Sequence, residues 1–120
     1  MSLFIAEPSR STPQIRFDLT GKKFYIKGKS FPENSKKFYL PLNEWLSRNK
    51  LPADATIEMH FDYISSSSVI AVLEVLKNIE SHSIGIKVIW TYEEGDDDLL
   101  NVAMNYQKLC ALQIELNPVD

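Results

Sequence analysis

Several residue types are scarce in this chain, and their scarcity excludes whole classes of protein. Cys110 is the single cysteine among 120 residues, so no internal disulfide can form, which is typical of a reducing compartment. The longest apolar run outside a predicted strand, residues 69–73, is far shorter than the roughly 20 residues that span a bilayer. The first ten residues lack a basic start followed by a long apolar stretch, so no signal peptide is expected. A cytoplasmic protein without membrane insertion is therefore predicted.

The sequence motifs of common enzymes are also missing. The four glycines form no phosphate-binding loop, and neither Gly-x-Ser-x-Gly nor His-Glu-x-x-His occurs. His60 and His82 have no cysteine or histidine at ligand spacing, so no zinc site is expected. Cys110 falls on the apolar side of a predicted helix, where a small buried thiol is the ordinary interpretation. The sequence thus predicts a protein with no catalytic residue, no metal and no cofactor.

What the chain does contain is the composition of one globular domain over residues 1–120, with 44% hydrophobic and 24% charged residues. Periodicity predicts a hairpin at 15–26, strands near 57–63, 84–90 and 112–116, and helices near 35–49, 67–80 and 99–110. Pro41 predicts either a kink in the first helix or a helix that starts beside it. The alternation of strands and helices from residue 55 onward predicts an α/β fold with a mixed sheet and helices packed on it.

Charge is distributed unevenly along the chain. Residues 1–50 carry ten basic and four acidic side chains, whereas residues 51–120 carry three basic and twelve acidic ones. Six lysines form a basic cluster in the first half: Lys22, Lys23, Lys27, Lys29, Lys36 and Lys37. Clustered lysines occur in nucleic-acid interfaces, but a net charge of −3 and the lack of a further basic stripe favour a solvated surface. No nucleic-acid partner is expected.

An acidic loop, residues 93–98 (EEGDDD), precedes the last predicted helix. Carboxylates are the ligands that calcium and magnesium prefer, although the spacing lacks the alternation of a calcium loop. Aspartates directly before a helix also cap its free amides and favour the positive end of its dipole. Capping is the favoured interpretation, and a small metal- or nucleotide-binding domain that uses this loop is the alternative function.

Four consecutive serines, residues 65–68, stand at a predicted strand-to-helix turn. One serine there is commonly an N-cap, and four exceed what capping requires. A phosphate added at this turn would meet free backbone amides and the positive end of the helix dipole. Ile70 falls on the otherwise polar side of the helix, beside Glu74 and Lys77. We therefore predict that Ile70, Glu74 and Lys77 belong to a partner-binding surface.

Four segments of the chain resemble the SiaC family of bacterial regulatory phosphoproteins, and the resemblance extends over about residues 3–116. The matching segments are 12–18 (TPQIRFD), 28–34 (GKSFPEN), 38–39 with 45–46 (FY and WL) and 90–94 (WTYEE). Several of them lie in predicted loops, where packing alone does not dictate the residue type. The resemblance implies a single STAS-like domain, similar to anti-anti-sigma factors.

The same resemblance implies a non-catalytic protein that switches partners on phosphorylation. Its implied partners are a cognate protein kinase, a PP2C-type phosphatase and a diguanylate cyclase. The unphosphorylated form would bind and activate the cyclase and so raise cyclic di-GMP, and phosphorylation at the strand–helix turn would block this.

The phosphorylated segment of the family resembles Tyr-Phe-Asn-Thr-Ser-Ser, with the threonine modified. Residues 63–68 (YISSSS) place Ser66 at the threonine position and Ser65 at the asparagine position. Both residues depart from the family pattern, but serine keeps the hydroxyl that a kinase modifies. The resemblance therefore implies Ser66 as the phosphorylated residue, with Ser67 as second choice. Ser65, Ser67 and Ser68 are expected to shape its surroundings and to belong to the partner-binding surface.

Overall fold

The computed structural model describes residues 2–120, which form six strands and three helices. Strands and helices alternate from the third strand onward. The strands are β1 (Leu3–Ala6), β2 (Gln14–Asp18), β3 (Lys23–Ser30), β4 (Thr56–Ile64), β5 (Lys87–Glu93) and β6 (Gln113–Val119). The helices are α1 (Ser35–Arg48), α2 (Ser66–His82) and α3 (Asp97–Leu109). This order confirms the predicted α/β class.

All six strands form one mixed sheet in the order β1-β2-β3-β4-β5-β6. β1, β2 and β3 are antiparallel neighbours, and the predicted hairpin is present with Phe17 opposite Phe24. β3, β4, β5 and β6 are parallel neighbours, and each parallel pair is joined through a helix, as parallel strands require a long crossover. β6, which contains most of the predicted strand near 112–116, is the edge strand on this side of the sheet.

The core lies between one face of the sheet and the three helices. Every second residue of the first part of β4 is buried: Ile57, Met59 and Phe61. Trp45 of α1 contacts Phe17 of β2, with ring centroids 6.2 Å apart. On the other side of the core, Trp90 of β5 contacts Tyr106 of α3, with centroids 5.6 Å apart. The helices therefore cover the same face, and α2 lies on it with Val72, Val75 and Leu76 fully buried.

The structure decides the alternatives left open at Pro41 and moves the start of one predicted strand. α1 begins at Ser35 and continues through Pro41, so the alternative of a helix that starts beside Pro41 is wrong. Asn34 is the N-cap of α1, and its side-chain oxygen accepts a hydrogen bond from the backbone N–H of Lys37 at 3.1 Å. β5 begins at Lys87 and not at residue 84, because Gly85 adopts a left-handed conformation with φ +70° that interrupts an extended chain.

Within residues 2–120, no helix is both long and apolar enough to cross a membrane.

The parallel strands bring the starts of all three helices to one edge of the sheet. β3, β4 and β5 end at this edge, and α1, α2 and α3 begin there. We call it the carboxyl edge. In open α/β sheets, ligands and partners commonly bind at this edge, outside the carboxyl ends of the strands. The serine run and the acidic loop both lie at the carboxyl edge.

Candidate functional site

Ser65 connects β4 to α2 and is the N-cap of that helix. Its hydroxyl accepts a hydrogen bond from the backbone N–H of Ser68 at 3.3 Å, and its own N–H donates to the carbonyl of Ser30 at 2.9 Å. The helix therefore begins at Ser66, one residue earlier than expected. The capping role that one serine of the run had to fill belongs to Ser65.

Six hydroxyl groups from β3, α1 and the serine turn form one hydrogen-bonded cluster, the hydroxyl network. Its members are Ser30, Ser35, Tyr39, Ser65, Ser67 and Ser68. Ser68 lies at its centre, with oxygen–oxygen distances of 2.9 Å to Ser30, 3.0 Å to Ser35 and 3.2 Å to Ser65. Tyr39 reaches Ser30 at 2.7 Å, and Ser67 reaches Ser35 at 2.9 Å. The network joins the beginnings of α1 and α2 to the end of β3.

The directions of these hydrogen bonds follow from counting protons, since each hydroxyl can donate once. Ser30 and Ser65 both donate to Ser68, so the proton of Ser68 goes to Ser35. Ser35 then donates to Ser67, and Tyr39 donates to Ser30. Burial raises the pKa of the Tyr39 hydroxyl far above its usual value, and the hydrogen bond with Ser30 opposes this only partly. Tyr39 is therefore a permanent donor at neutral pH.

Ser68 was predicted to belong to the partner-binding surface, but the structure places it inside the protein. Its relative exposure is 0%, and its oxygen is engaged by three other hydroxyls. Because α2 begins at Ser66, Ser68 lies one turn before Ala71 and Val72, on the face that packs into the core. The expectation that Ser68 belongs to the partner-binding surface is therefore wrong, and Ser68 instead holds the buried hydroxyl network together. Extending the apolar periodicity of α2 back by one turn would have revealed this.

Ser66 has the opposite surroundings. It is exposed, and its hydroxyl makes no hydrogen bond with any residue in the described range 2–120. It lines a cleft of about 380 Å³ between the serine turn and the first turn of α3. We call this the acidic cleft, because Asp62, Asp96 and Asp98 line it and no lysine or arginine does.

Three aspartates of the acidic loop belong to the N-terminal end of α3. Asp96 is the N-cap, and its carboxylate accepts from the backbone N–H of Leu99 at 3.1 Å. Asp97 and Asp98 occupy the first turn, where negative charge is favourable. The capping interpretation is thus confirmed for Asp96. Across the described residues, no group of three or more histidine, cysteine, aspartate or glutamate side chains is arranged to hold a metal ion.

Ser67 faces the other side of α2. It lines a groove of about 270 Å³ between α1 and α2, the helix groove, together with Lys36, Ile70 and Glu74. Ile70 is 65% exposed, and Glu74 and Lys77 are also exposed. The three residues predicted for partner binding therefore lie on the surface of α2, and their role stays a prediction.

An aromatic pair at the carboxyl edge was assigned no role from the sequence. Phe31 and Tyr63 are 38% and 54% exposed, and their rings meet edge to face with centroids 5.7 Å apart. Phe31 follows β3, whereas Tyr63 lies near the end of β4 and lines the acidic cleft beside Ser66. Tyr63 continues the two-residue alternation of Ile57, Met59 and Phe61, which are buried, so the sequence pattern held no signal that this ring is exposed.

Comparisons with known proteins concern the family and the fold of the chain. The family model described as "SiaC family regulatory phosphoprotein" matches residues 6–119. A protein of Pseudomonas aeruginosa strain UCBPP-PA14 is 23% identical over 117 residues, which cover 93% of each chain. The solved structure of SiaC of Pseudomonas aeruginosa has a TM-score of 0.82 at 21% identity, covering 99% of this chain and 100% of that chain.

A second solved structure shows diguanylate cyclase SiaD in complex with its activator SiaC from Pseudomonas aeruginosa. The matched chain has a TM-score of 0.81 at 19% identity, and the match covers 97% of this chain and 99% of that one. These structures share the fold of the present chain, with its six-stranded sheet and three helices. By its match to the family model over nearly its whole length, the chain belongs to the SiaC family of regulatory phosphoproteins.

Proposed function

We propose that this protein is a phosphorylation-controlled partner switch without catalytic activity of its own. Its unphosphorylated form binds and activates a diguanylate cyclase in the cytoplasm, a cognate kinase phosphorylates Ser66, and a PP2C-type phosphatase reverses the modification. The family membership supports this, as does the complex that SiaC of Pseudomonas aeruginosa forms with SiaD. The observation that carries the proposal is the Ser66 hydroxyl, which is exposed and makes no hydrogen bond with any described residue, at the start of a helix on the carboxyl edge.

Ser66 suits a kinase better than its neighbours do. Its hydroxyl is accessible, and its removal or modification breaks no hydrogen bond within the described residues. Ser67, the second choice, shares hydrogen bonds with Ser35 at 2.9 Å and with Ser65 at 3.3 Å. Modification of Ser67 would disturb the hydroxyl network, so the structure favours Ser66.

The acidic cleft explains how phosphate on Ser66 would act. Phosphorylation adds about −1.5 to −2 charges beside Asp62 and Asp98, and no lysine or arginine lines the cleft to neutralise them. The N–H of Ser68 is held by the Ser65 hydroxyl, but the amides of Ser66 and Ser67 have no partner within the helix and can hold phosphate oxygens without a backbone rearrangement. The added charge therefore stays on the surface, where an approaching partner meets it.

The experiment combines a binding assay with mapping of the phosphate. Purified diguanylate cyclases of the source organism are tested for binding and for cyclic di-GMP synthesis with the unmodified and the kinase-treated protein. We expect the unmodified protein to bind and stimulate one cyclase, and phosphate to abolish both effects. Ser66→Ala should block modification and keep binding, whereas the control Ser67→Ala should still accept phosphate. Phosphate mapped by fragment mass analysis to Ser67 would keep the switch and move its site, and an absence of any cyclase binding would refute the proposed function.

A further inference from the structure

We propose that the cyclase docks on a surface made of the Phe31–Tyr63 aromatic pair, of Lys29 opposite Tyr63, and of Lys36 and Lys37 in the first turn of α1. The cyclase segment that fits this surface has an apolar side chain for the aromatic rings and carboxylates for the lysines. This inference rests on the proposed function, because it specifies where and by which chemistry that partner is recognised.

The aromatic pair has the properties of an interface anchor. Large aromatic side chains dominate the binding energy of protein interfaces, and here two of them are exposed and in mutual contact. The backbone that presents Phe31 is held in place, since its N–H donates to the carbonyl of Ser11 at 2.8 Å and Pro32 follows it. A preordered anchor loses little conformational entropy on binding. Tyr63 shares the acidic cleft with Ser66, so the anchor lies beside the proposed phosphorylation site.

Lys29, Lys36 and Lys37 form no ion pair with a described carboxylate of this chain, so their charges can pair with carboxylates of a partner. The ion pairs between described residues involve Arg16, Lys27 and Lys87, and none involves Lys29, Lys36 or Lys37. Lys29 is the cross-strand neighbour of Tyr63. Lys36 lines the helix groove together with Glu33 and Glu74 but forms no ion pair with either of them.

The position of two of these lysines points to an anionic partner in particular. Lys36 and Lys37 occupy the first turn of α1, which contains no acidic residue. Positive charge is unfavourable at this end of a helix, so these lysines do not serve the stability of α1. An acidic segment bound across the turn would compensate both the lysines and the helix dipole.

The two sides of the carboxyl edge then explain the switch. The α1 side carries Lys36 and Lys37 together with Glu33 and Glu74, whereas Asp62, Asp96 and Asp98 line the α3 side, where no lysine or arginine lines the cleft. In this proposal the carboxylates of the cyclase approach the first turn of α1, where Lys36 and Lys37 lie, and phosphate on Ser66 stands at the start of the neighbouring helix α2. The phosphate would repel those carboxylates and cover the approach to Tyr63.

The first test measures cyclase affinity after removal of one aromatic ring. We expect Phe31→Ala and Tyr63→Ala each to raise the Kd about tenfold or more. Leu109→Ala and Ile84→Ala are matched controls, since both residues are exposed and apolar but lie at the opposite edge of the sheet. They should bind as the wild type does. Wild-type affinity of both aromatic variants would overturn the inference while leaving the proposed function intact.

The second test reverses charge at the two edges. Lys36→Glu combined with Lys37→Glu should raise the Kd about fivefold or more, with an effect that shrinks at high salt. Acidic residues are favourable in a first helical turn, so this variant should fold. Lys22→Glu combined with Lys23→Glu, at the hairpin turn of the opposite edge, is the control and should bind normally. An equal loss of cyclase affinity in the Lys36/Lys37 and Lys22/Lys23 double variants would show that Lys36 and Lys37 do not define the contact. A loss of affinity in Asp62→Asn and Asp98→Asn would show the same. If no diguanylate cyclase binds the wild type, the proposed function fails first and this inference falls with it.

Discussion

Ser66 and Ser68 are two residues apart, yet substituting each with alanine should affect stability very differently. Ser66→Ala removes an exposed hydroxyl that bonds to no described residue, so the free energy of unfolding should change by less than about 0.5 kcal/mol. Ser68→Ala leaves the buried hydroxyl of Ser30 and the half-buried hydroxyl of Ser65 without their acceptor, which should cost about 1–3 kcal/mol. Urea unfolding of the two variants measures the difference. Equal stabilities would mean that the hydroxyl network contributes nothing.

Two buried tyrosines should make the protein lose stability at high pH. Burial raises the pKa of Tyr39 and of Tyr106 well above the ordinary value near 10. Between that value and the raised one, the unfolded chain loses a proton that the folded chain keeps. Each tyrosine then lowers the free energy of unfolding by about 1.4 kcal/mol per pH unit, whereas below pH 10 its contribution is fully present.

The measurement compares the slope of unfolding free energy against pH above pH 10. Tyr39→Phe should reduce the slope by about one proton while lowering stability at pH 7 by roughly 0.5–1.5 kcal/mol, because its bond to Ser30 is lost. Tyr25→Phe is the control, since Tyr25 lies on the half-exposed outer face of the sheet. An unchanged slope in Tyr39→Phe would contradict the assigned protonation.

The second helix presents one face to the core and another to solvent, and Ile70 belongs to the solvent face. Ile70→Asp should therefore change the free energy of unfolding by less than about 0.5 kcal/mol but weaken cyclase binding, because a carboxylate would replace an exposed apolar side chain in the helix groove. Ile84→Asp makes the same change at the opposite edge and should leave binding intact. A large fall in stability of Ile70→Asp would show that Ile70 supports the core.

Elements with strong periodicity could be predicted from the sequence, and their ends could not. The alternation in β4 and the apolar arc of α2 are local patterns, and both elements are present. The start of β5 depends on the left-handed Gly85, and the start of α2 depends on which of four identical residues becomes the cap. Such choices are decided by contacts with distant parts of the chain, here the bond from the N–H of Ser65 to Ser30.

At the scale of the whole molecule, parallel pairing creates the candidate site. It places the end of β3, the starts of three helices and the acidic loop on one edge. Single features of this edge, such as the serine turn, were visible in the sequence. Their combination was not visible, because the Phe31–Tyr63 contact and the hydrogen bonds that Ser68 forms with Ser30 and Ser35 join residues 32 or more positions apart in the sequence.

This architecture leads to a prediction about the phosphorylated protein as a whole. Phosphate on Ser66 lies outside the hydroxyl network and the core, so it should leave the fold intact and change the net charge from −3 to about −5. Repulsion from Asp62 and Asp98 opposes the favourable helix dipole, so the free energy of unfolding should change by less than about 1 kcal/mol. Amide chemical shifts should change only at the serine turn and the first turns of α2 and α3.

Unfolding curves and amide spectra of the two forms, prepared with and without kinase treatment, measure both quantities. Ser66→Asp supplies one planar charge instead of a phosphate, so it should reproduce the local shifts in part and weaken the cyclase complex less than true phosphate does. Shifts that spread into Tyr39, Ser30 and α1 would mean that phosphorylation opens the hydroxyl network. In that case the switch would work by a conformational change and not by charge at the carboxyl edge.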